Sequence, residues 1–249
     1  MRATKYNASG NDFIIFHDQN KKNRSALAKK LCDRHAGVGA DGMVVLVPHE
    51  EYDFEWEFYN SDGSSALMCG NASRAVAHYA NEKGISKEGK AEFLTGAGVI
   101  KAEVNGEYVL SSMISPRVVN KEISEDGESW WLIDTGVPHL VVIRDNIEDF
   151  DLARARALRE KYNANVNIVK IVDKKNMLVR TYERGVENET LACGTGMVAA
   201  FVRAFEEGMV EKSARILPKS NEEIDIACEE GVYTLGGRVS KVFVAEIYI

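Results

Sequence analysis

The 249-residue sequence has no apolar run approaching the ~18–20 residues that a membrane span needs. No apolar signal stretch stands behind Met1-Arg2-Ala3-Thr4-Lys5-Tyr6, so a soluble, cytoplasmic protein is expected. Positive charge is in deficit: 31 Lys and Arg against 38 Asp and Glu give a formal net charge of −7. With no basic stripe, this balance argues against a nucleic-acid partner. The densest basic cluster near a terminus, Lys21, Lys22 and Arg24, reads as a solvated loop. Neither a Rossmann nor a P-loop glycine pattern occurs, so nothing points to a nucleotide. Cysteine is scarce. The four residues, Cys32, Cys69, Cys193 and Cys228, form no CxxC pair and no zinc-ribbon spacing. What remains is an ordinary globular composition, 45% apolar and 28% charged. The length suits one large domain or two small ones.

The chain repeats its own features. Cys69-Gly70-Asn71-Ala72 opens an Ala-rich stretch closing at Gly84, and Cys193-Gly194-Thr195-Gly196 opens one closing at Gly208. Each reads as a helix body with a C-terminal glycine cap. Upstream of each lies a strand ending in a polar turn, Phe54 to Gly63 and Met177 to Gly185. Further upstream, Gly10-Asn11-Asp12-Phe13-Ile14-Ile15 matches the layout of Gly136-Val137-Pro138-His139-Leu140-Val141-Val142. Two similar α/β halves are expected, at 1–114 and 115–239, with a final alternating strand at 240–249 free to pair back onto the first. Two more helices are expected, near Ser25 to His35 and Asp151 to Lys161. Short strands are expected around Glu107–Ser111 and Glu128–Ile133.

Cys32, in a helix-like pattern, and Cys228, in the alternating Ile224-Asp225-Ile226-Ala227-Cys228, read as small buried hydrophobes. Cys69 and Cys193 do not, because each stands at a helix start. Unpaired N–H groups there favour negative charge, lower a thiol's pKa and cradle an anion such as a carboxylate. The following Gly lets a ligand approach the backbone closely. If the halves face each other, two thiols converge on one carboxylate-binding cleft. That arrangement suits inversion of a carbon next to a carboxylate. A thiolate takes the proton from one face, a thiol returns one to the other, and the N–H dipoles stabilise the carbanion. No metal or cofactor is required. A reversible disulfide between the same thiols is the alternative from another class, weakened by the absence of CxxC. A relative that binds without catalysing is the third reading.

The segments Ala8-Ser9-Gly10-Asn11-Asp12-Phe13, Gly39-Ala40-Asp41-Gly42, Tyr59-Asn60-Ser61-Asp62-Gly63 and Met68-Cys69-Gly70-Asn71 resemble those of the diaminopimelate epimerase family. So do Thr135-Gly136-Val137-Pro138-His139, Asn165-Val166-Asn167, Tyr182-Glu183-Arg184-Gly185 and Ala192-Cys193-Gly194-Thr195-Gly196. The resemblance implies an α/β (α+β) fold of two pseudo-symmetric domains, each a mixed β-barrel-like sheet around a central helix, with the active site in the cleft between them. It implies interconversion of LL- and meso-diaminopimelate on the route to lysine and peptidoglycan, without a cofactor, by a homodimer. Cys69 and Cys193 become the acid–base pair, assisted by His139 and Glu183. Gly70, Asn71, Gly194 and Thr195 would hold the reacting carboxylate. Asn11, Asn60, Asn167, Glu183 and Arg184 would hold the remaining charged groups of the substrate. A proline-racemase-like enzyme is the rival within this chemistry; it would lack the distal recognition set.

Three positions depart from the family's pattern. Gly42 stands where many relatives carry Gln, Val137 where many carry Asn, and Ala72 where Gly is frequent after Cys-Gly-Asn. If position 72 required a positive φ, Ala would be strained there.

Overall fold

The computed structural model describes residues 1–248. The chain forms two compact units, Met1–Ser112 with Gly237–Ile249, and Met113–Gly236. In chain order the first contributes β1 (Arg2–Ala8), β2 (Asn11–His17), α1 (Ser25–Cys32), β3 (Gly42–Val47), β4 (Phe54–Asn60), α2 (Gly70–Glu82), β5 (Lys90–Thr95), β6 (Gly98–Asn105) and β7 (Tyr108–Ser112). The second runs through β8 (Arg117–Glu125), β9 (Glu128–Asp134), β10 (Pro138–Ile143), α3 (Leu152–Tyr162), β11 (Asn165–Asp173) and β12 (Asn176–Glu183). It continues with the short β13 (Asn188–Thr190), α4 (Gly194–Glu206), β14 (Ser213–Leu217), β15 (Ile224–Glu229) and β16 (Val232–Arg238), whose last two residues count with the first unit. The last strand, β17 (Ser240–Glu246), pairs antiparallel with β1. The expected strand to 249 includes Ile249, which lies outside the described residues.

The two units repeat one pairing scheme. In the first, β17, β1, β2, β3, β4, β5, β6 and β7 follow one another, parallel only at β2/β3 and β4/β5. In the second, β8, β9, β10, β11, β12, β14, β15 and β16 do the same, parallel only at β10/β11 and β12/β14. Each parallel step needs a crossover. α1 and α3 supply the first crossover of each unit, α2 and α4 the second. α2 packs against β1, β2, β3, β5, β6 and β7, so the first unit's sheet curls around it. α4 packs against β9, β10, β11 and β12.

Register makes the repeat residue-specific. Phe13 pairs with Gly42 and Val44 with Phe58; His139 pairs with Asn165 and Asn167 with Thr181. Phe13, Gly42, Val44 and Phe58 are therefore the counterparts of His139, Asn165, Asn167 and Thr181. On the opposite sheet face both units bury matching clusters. Ile14, Phe16, Met43, Val45 and Tyr59 pack with Ala28 and Leu31 of α1. Leu140, Val142, Val166, Ile168 and Tyr182 pack with Ala155 and Leu158 of α3. Each apolar side chain removed from water contributes ~1.5–3 kcal/mol.

Local chemistry sets the element ends. Gly84 and Gly208 take φ values of 66° and 68° just past α2 and α4, a left-handed conformation glycine reaches without strain. α1 is shorter than the expected span to His35. Asp33 leaves helical geometry, and its Oδ1 accepts from the N–H groups of His35 and Ala36. The basic cluster divides: Lys21 and Lys22 are exposed, but Arg24 is buried in ion pairs with Asp18, at 2.7 Å, and Glu57. Its carboxylate partners, distant in sequence or across a turn, take it out of the solvated loop. Cys32 is buried in the α1 cluster, whereas Cys228 is only half-buried near the outer end of β15, opposite Tyr233.

Candidate active site

Cys69 caps the N-terminus of α2 in an extended conformation, and its Sγ accepts from the Ala72 N–H at 3.5 Å. The thiol donates in turn to Oδ1 of Asn11 at 3.7 Å. Asn11 can only accept there, because its Nδ2 donates to Oδ2 of Asp41 at 2.7 Å. The Asn71 amide joins the same Oδ1 at 3.4 Å. On its other side Asn71 takes a 2.8 Å bond from Arg74, a fully buried arginine that also donates to Ser9 Oγ and the Arg238 carbonyl. Asp41 belongs to an ionic network with Asp12, Arg34 and Lys5. Against the burial that would raise it, bonds from Arg34, Lys5 and the Asp41 N–H hold the Asp12 carboxyl down to about 2. Asn60, at the end of β4, donates instead to Ser64 Oγ at 2.9 Å.

Cys193 likewise caps α4 in an extended conformation, but its sulfur takes no capping N–H bond. It lies 3.5 Å from the Thr195 hydroxyl. Thr195 Oγ1 is 3.0 Å from Nε2 of His139, and the Asn167 amide nitrogen is 3.0 Å from His139 Nδ1. His139 therefore reaches the sulfur through Thr195. Asn167 is fully buried and its amide is engaged on both sides: Nδ2 also donates to the Leu140 carbonyl at 3.3 Å, and Oδ1 accepts from the Thr181 hydroxyl at 2.9 Å. Burial, and behind it the positive charge of Arg184, pushes the His139 imidazole down to about 3. The ring is neutral at any ordinary pH. Arg184 is held by its own N–H on Asn165 Oδ1, at 2.7 Å, and by its guanidinium on the Asn163 carbonyl, at 2.9 Å. Glu183 ends β12, one register position before the turn that carries Arg184.

The predicted residues thus gather in two groups: Asn11, Cys69 and Asn71 in one unit, and His139, Asn167, Cys193 and Thr195 in the other. Gly70 and Gly194 are the buried first residues of their helices. Sequence reasoning missed Thr181, Asp41 and Arg74. Arg74 left a signal, as the one charge in the otherwise Ala-rich body of α2 before His78. Among the described residues, no group of three or more His, Cys, Asp or Glu could hold a metal ion. Two of the three departures have local explanations, and nothing in the structure explains Val137. Ala72 is an ordinary helical residue without positive φ. A Cβ at Gly42 would lie 2.7 Å from the Phe58 ring and 3.0 Å from the Tyr59 carbonyl, so a side chain there requires Phe58 to move.

The family model for diaminopimelate epimerase matches residues 3–119 and 131–241. The chain belongs to the diaminopimelate epimerase family. A diaminopimelate epimerase from Nitratiruptor sp. is 56% identical over 243 residues, covering 98% of this chain and 97% of the relative. One from Campylobacter jejuni subsp. jejuni is 52% identical over 246 residues, covering 98% of each. One from Helicobacter pylori is 41% identical, covering 93% of this chain and 91% of the relative. Among solved structures, a probable proline racemase from Agrobacterium radiobacter superposes with a TM-score of 0.81 at 15% identity, covering 100% of this chain and 93% of that one. A phenazine biosynthesis protein of the PhzF family from Bacillus anthracis gives 0.76 at 15% identity, covering 100% and 99%. These distant structures share the family's fold.

Proposed function

We propose that this chain interconverts LL- and meso-diaminopimelate, with Cys69 and Cys193 as the two proton partners. Family membership across nearly the whole chain carries the reading. Inversion requires a proton acceptor on one face of the α-carbon and a donor on the other, and a thiol can serve as either near neutral pH. Both cysteines stand at helix N-termini, where N–H groups stabilise the charge that develops on the reacting carboxylate. Gly70, Asn71, Gly194 and Thr195 supply those starts. Asn11, Asn60, Glu183 and Arg184 belong to the recognition of the substrate's other charged groups, whereas Asn167, fully buried with its amide bonded on both sides, supports the site from behind His139. The scheme asks for no metal or organic cofactor. The halves divide near residue 114, and the working form is a cytoplasmic homodimer.

The test is incubation of purified protein with LL-diaminopimelate and separation of the stereoisomers by chromatography. Appearance of the meso isomer is expected. Lysine and proline should not turn over, because each leaves half-buried polar partners for the distal centre unpaired. Proline turnover matching that of diaminopimelate would overturn the assignment. Light-scattering mass in solution checks the dimer.

A further inference from the structure

The repeat provides an internal control on the polar cluster behind Cys193. Where the second unit buries His139, Asn167 and Thr181, the first buries Phe13, Val44 and Phe58, the two rings edge-to-face at 6.1 Å. The fold is therefore content with an apolar filling at these places. A buried polar network is no more stabilising than well-packed hydrophobes and is costly if incompletely bonded. Its presence in one unit calls for a reason outside packing.

The hydrogen bonds supply one. The Leu140 carbonyl and the Thr181 hydroxyl orient the Asn167 amide, so Nδ2 rather than Oδ1 faces His139. An N–H donor 3.0 Å from Nδ1 requires that nitrogen to accept, and a neutral ring then carries its proton on Nε2. Thr195 carries a hydroxyl that can accept as well as donate; among the described residues the contrary N–H donor is the Asn165 amide, at 3.5 Å from Nε2. It is half an ångström further away, and it also donates to the Pro138 carbonyl at 3.3 Å. The opposite tautomer would set two N–H groups against each other at the shorter distance. With Nε2 protonated, His139 donates to Thr195 Oγ1, and the Thr195 hydroxyl proton is left to point at the Cys193 sulfur.

We propose that Asn167 is a positioning residue that locks His139 as the neutral Nε2–H tautomer, so that the Thr195 hydroxyl donates to Cys193. The inference rests on the epimerase reading for its kinetic consequence but not for its structural one. Cys69 has a different donor, the Ala72 backbone N–H. The two sulfurs are thus served by different devices, one side-chain relay and one backbone amide.

The test uses the whole protein labelled with 15N-histidine, together with Asn167→Asp, Thr195→Val and Thr195→Ser. In the wild type His139 should give a protonated signal at Nε2 and a bare, accepting signal at Nδ1. Asn167→Asp places an acceptor beside Nδ1 at nearly constant shape, so the two signals should exchange. Its kcat should fall by ~10²–10⁴, as when a wrong histidine tautomer is imposed elsewhere, while KM moves far less. Thr195→Val should lose kcat comparably, and Thr195→Ser should recover at least ~10-fold over it. A protonated Nδ1 in the wild type, unexchanged signals in Asn167→Asp, or a Thr195→Val enzyme as fast as wild type each overturn the proposal. If the wild type fails to epimerise diaminopimelate, the functional reading falls, and the nitrogen signals alone decide the tautomer.

Discussion

A Cβ placed on Gly196 would lie 2.3 Å from Oδ1 of Asn167. It would also meet the Thr181 hydroxyl and the His139 ring at 3.3 Å. Helix α4 can approach the polar cluster only because its third residue has no side chain. In α2 the counterpart is Ala72, which fits where the facing strands carry Phe13, Val44 and Phe58. Gly196→Ala should therefore displace Asn167 and cost about 1–3 kcal/mol as an overpacked site. Ala72→Gly should cost about 1–2 kcal/mol, from helix propensity and the loss of a buried methyl. Denaturant unfolding of both variants checks this, and a Gly196→Ala protein about 1 kcal/mol more stable than wild type, as helix propensity alone would give, would show that Asn167 moves aside freely.

Removing either thiol should stop inversion. Cys69→Ala and Cys193→Ala each delete one proton partner, and a loss of at least ~10²-fold in kcat is expected for each. Both are small truncations at helix starts, so circular dichroism should report an intact fold. Exchange of the substrate's α-proton with deuterated solvent separates the cases further: a variant retaining one thiol can still exchange on one face without inverting. Near-normal inversion by either variant would remove the two-thiol mechanism.

The secondary structure and the repeat were visible in the sequence because they rest on local signals. Cys-Gly followed by an Ala-rich body and a closing Gly marked α2 and α4, and alternation marked strands such as β9 and β12. Even the match of Phe13 with His139 follows from aligning Gly10 with Gly136. Tertiary partners were not visible. Arg24 lay in a basic cluster and turned out buried, because its partner Glu57 sits on β4. Asn167 read as a substrate ligand, yet its amide bonds lie with Leu140, His139 and Thr181, which strand register alone brings to it. Thr181 itself carried no motif.

His139 should make stability fall with pH already above the range where carboxylates titrate, and on through it. Its pKa is near 3 folded, against an ordinary histidine value of 6.5 once unfolded. Between those values the unfolded chain binds the extra proton, so the contribution is complete above pH 6.5 and is lost as the pH falls toward 3. From pH 7 to pH 5 the loss from His139 is about 2 kcal/mol. His78, also held below its ordinary value by burial, adds in the same window. Urea unfolding at both pH values should show His139→Gln less stable than wild type at pH 7, with a pH dependence smaller by about that amount. An unchanged dependence would mean that His139 is not buried as a neutral ring.

Thiol reactivity should separate structural from functional cysteines. Burial pushes the Cys32 thiol up to about 12. At pH 8 roughly one molecule in ten thousand then carries the Cys32 thiolate, the form that alkylates. Cys69 is more accessible, and its sulfur accepts an N–H bond at the start of α2. Brief treatment with iodoacetamide followed by peptide mapping should find Cys69 labelled and Cys32 untouched, with activity falling in step with the Cys69 label. Cys228, half-buried on β15, can take label as well, but its labelling should not track inactivation. Saturating diaminopimelate should slow the Cys69 reaction and leave that of Cys228 unaltered, because the substrate shields only the thiol it meets. Inactivation that follows Cys32 or Cys228, or labelling of Cys69 indifferent to substrate, would show that Cys69 lies outside the site.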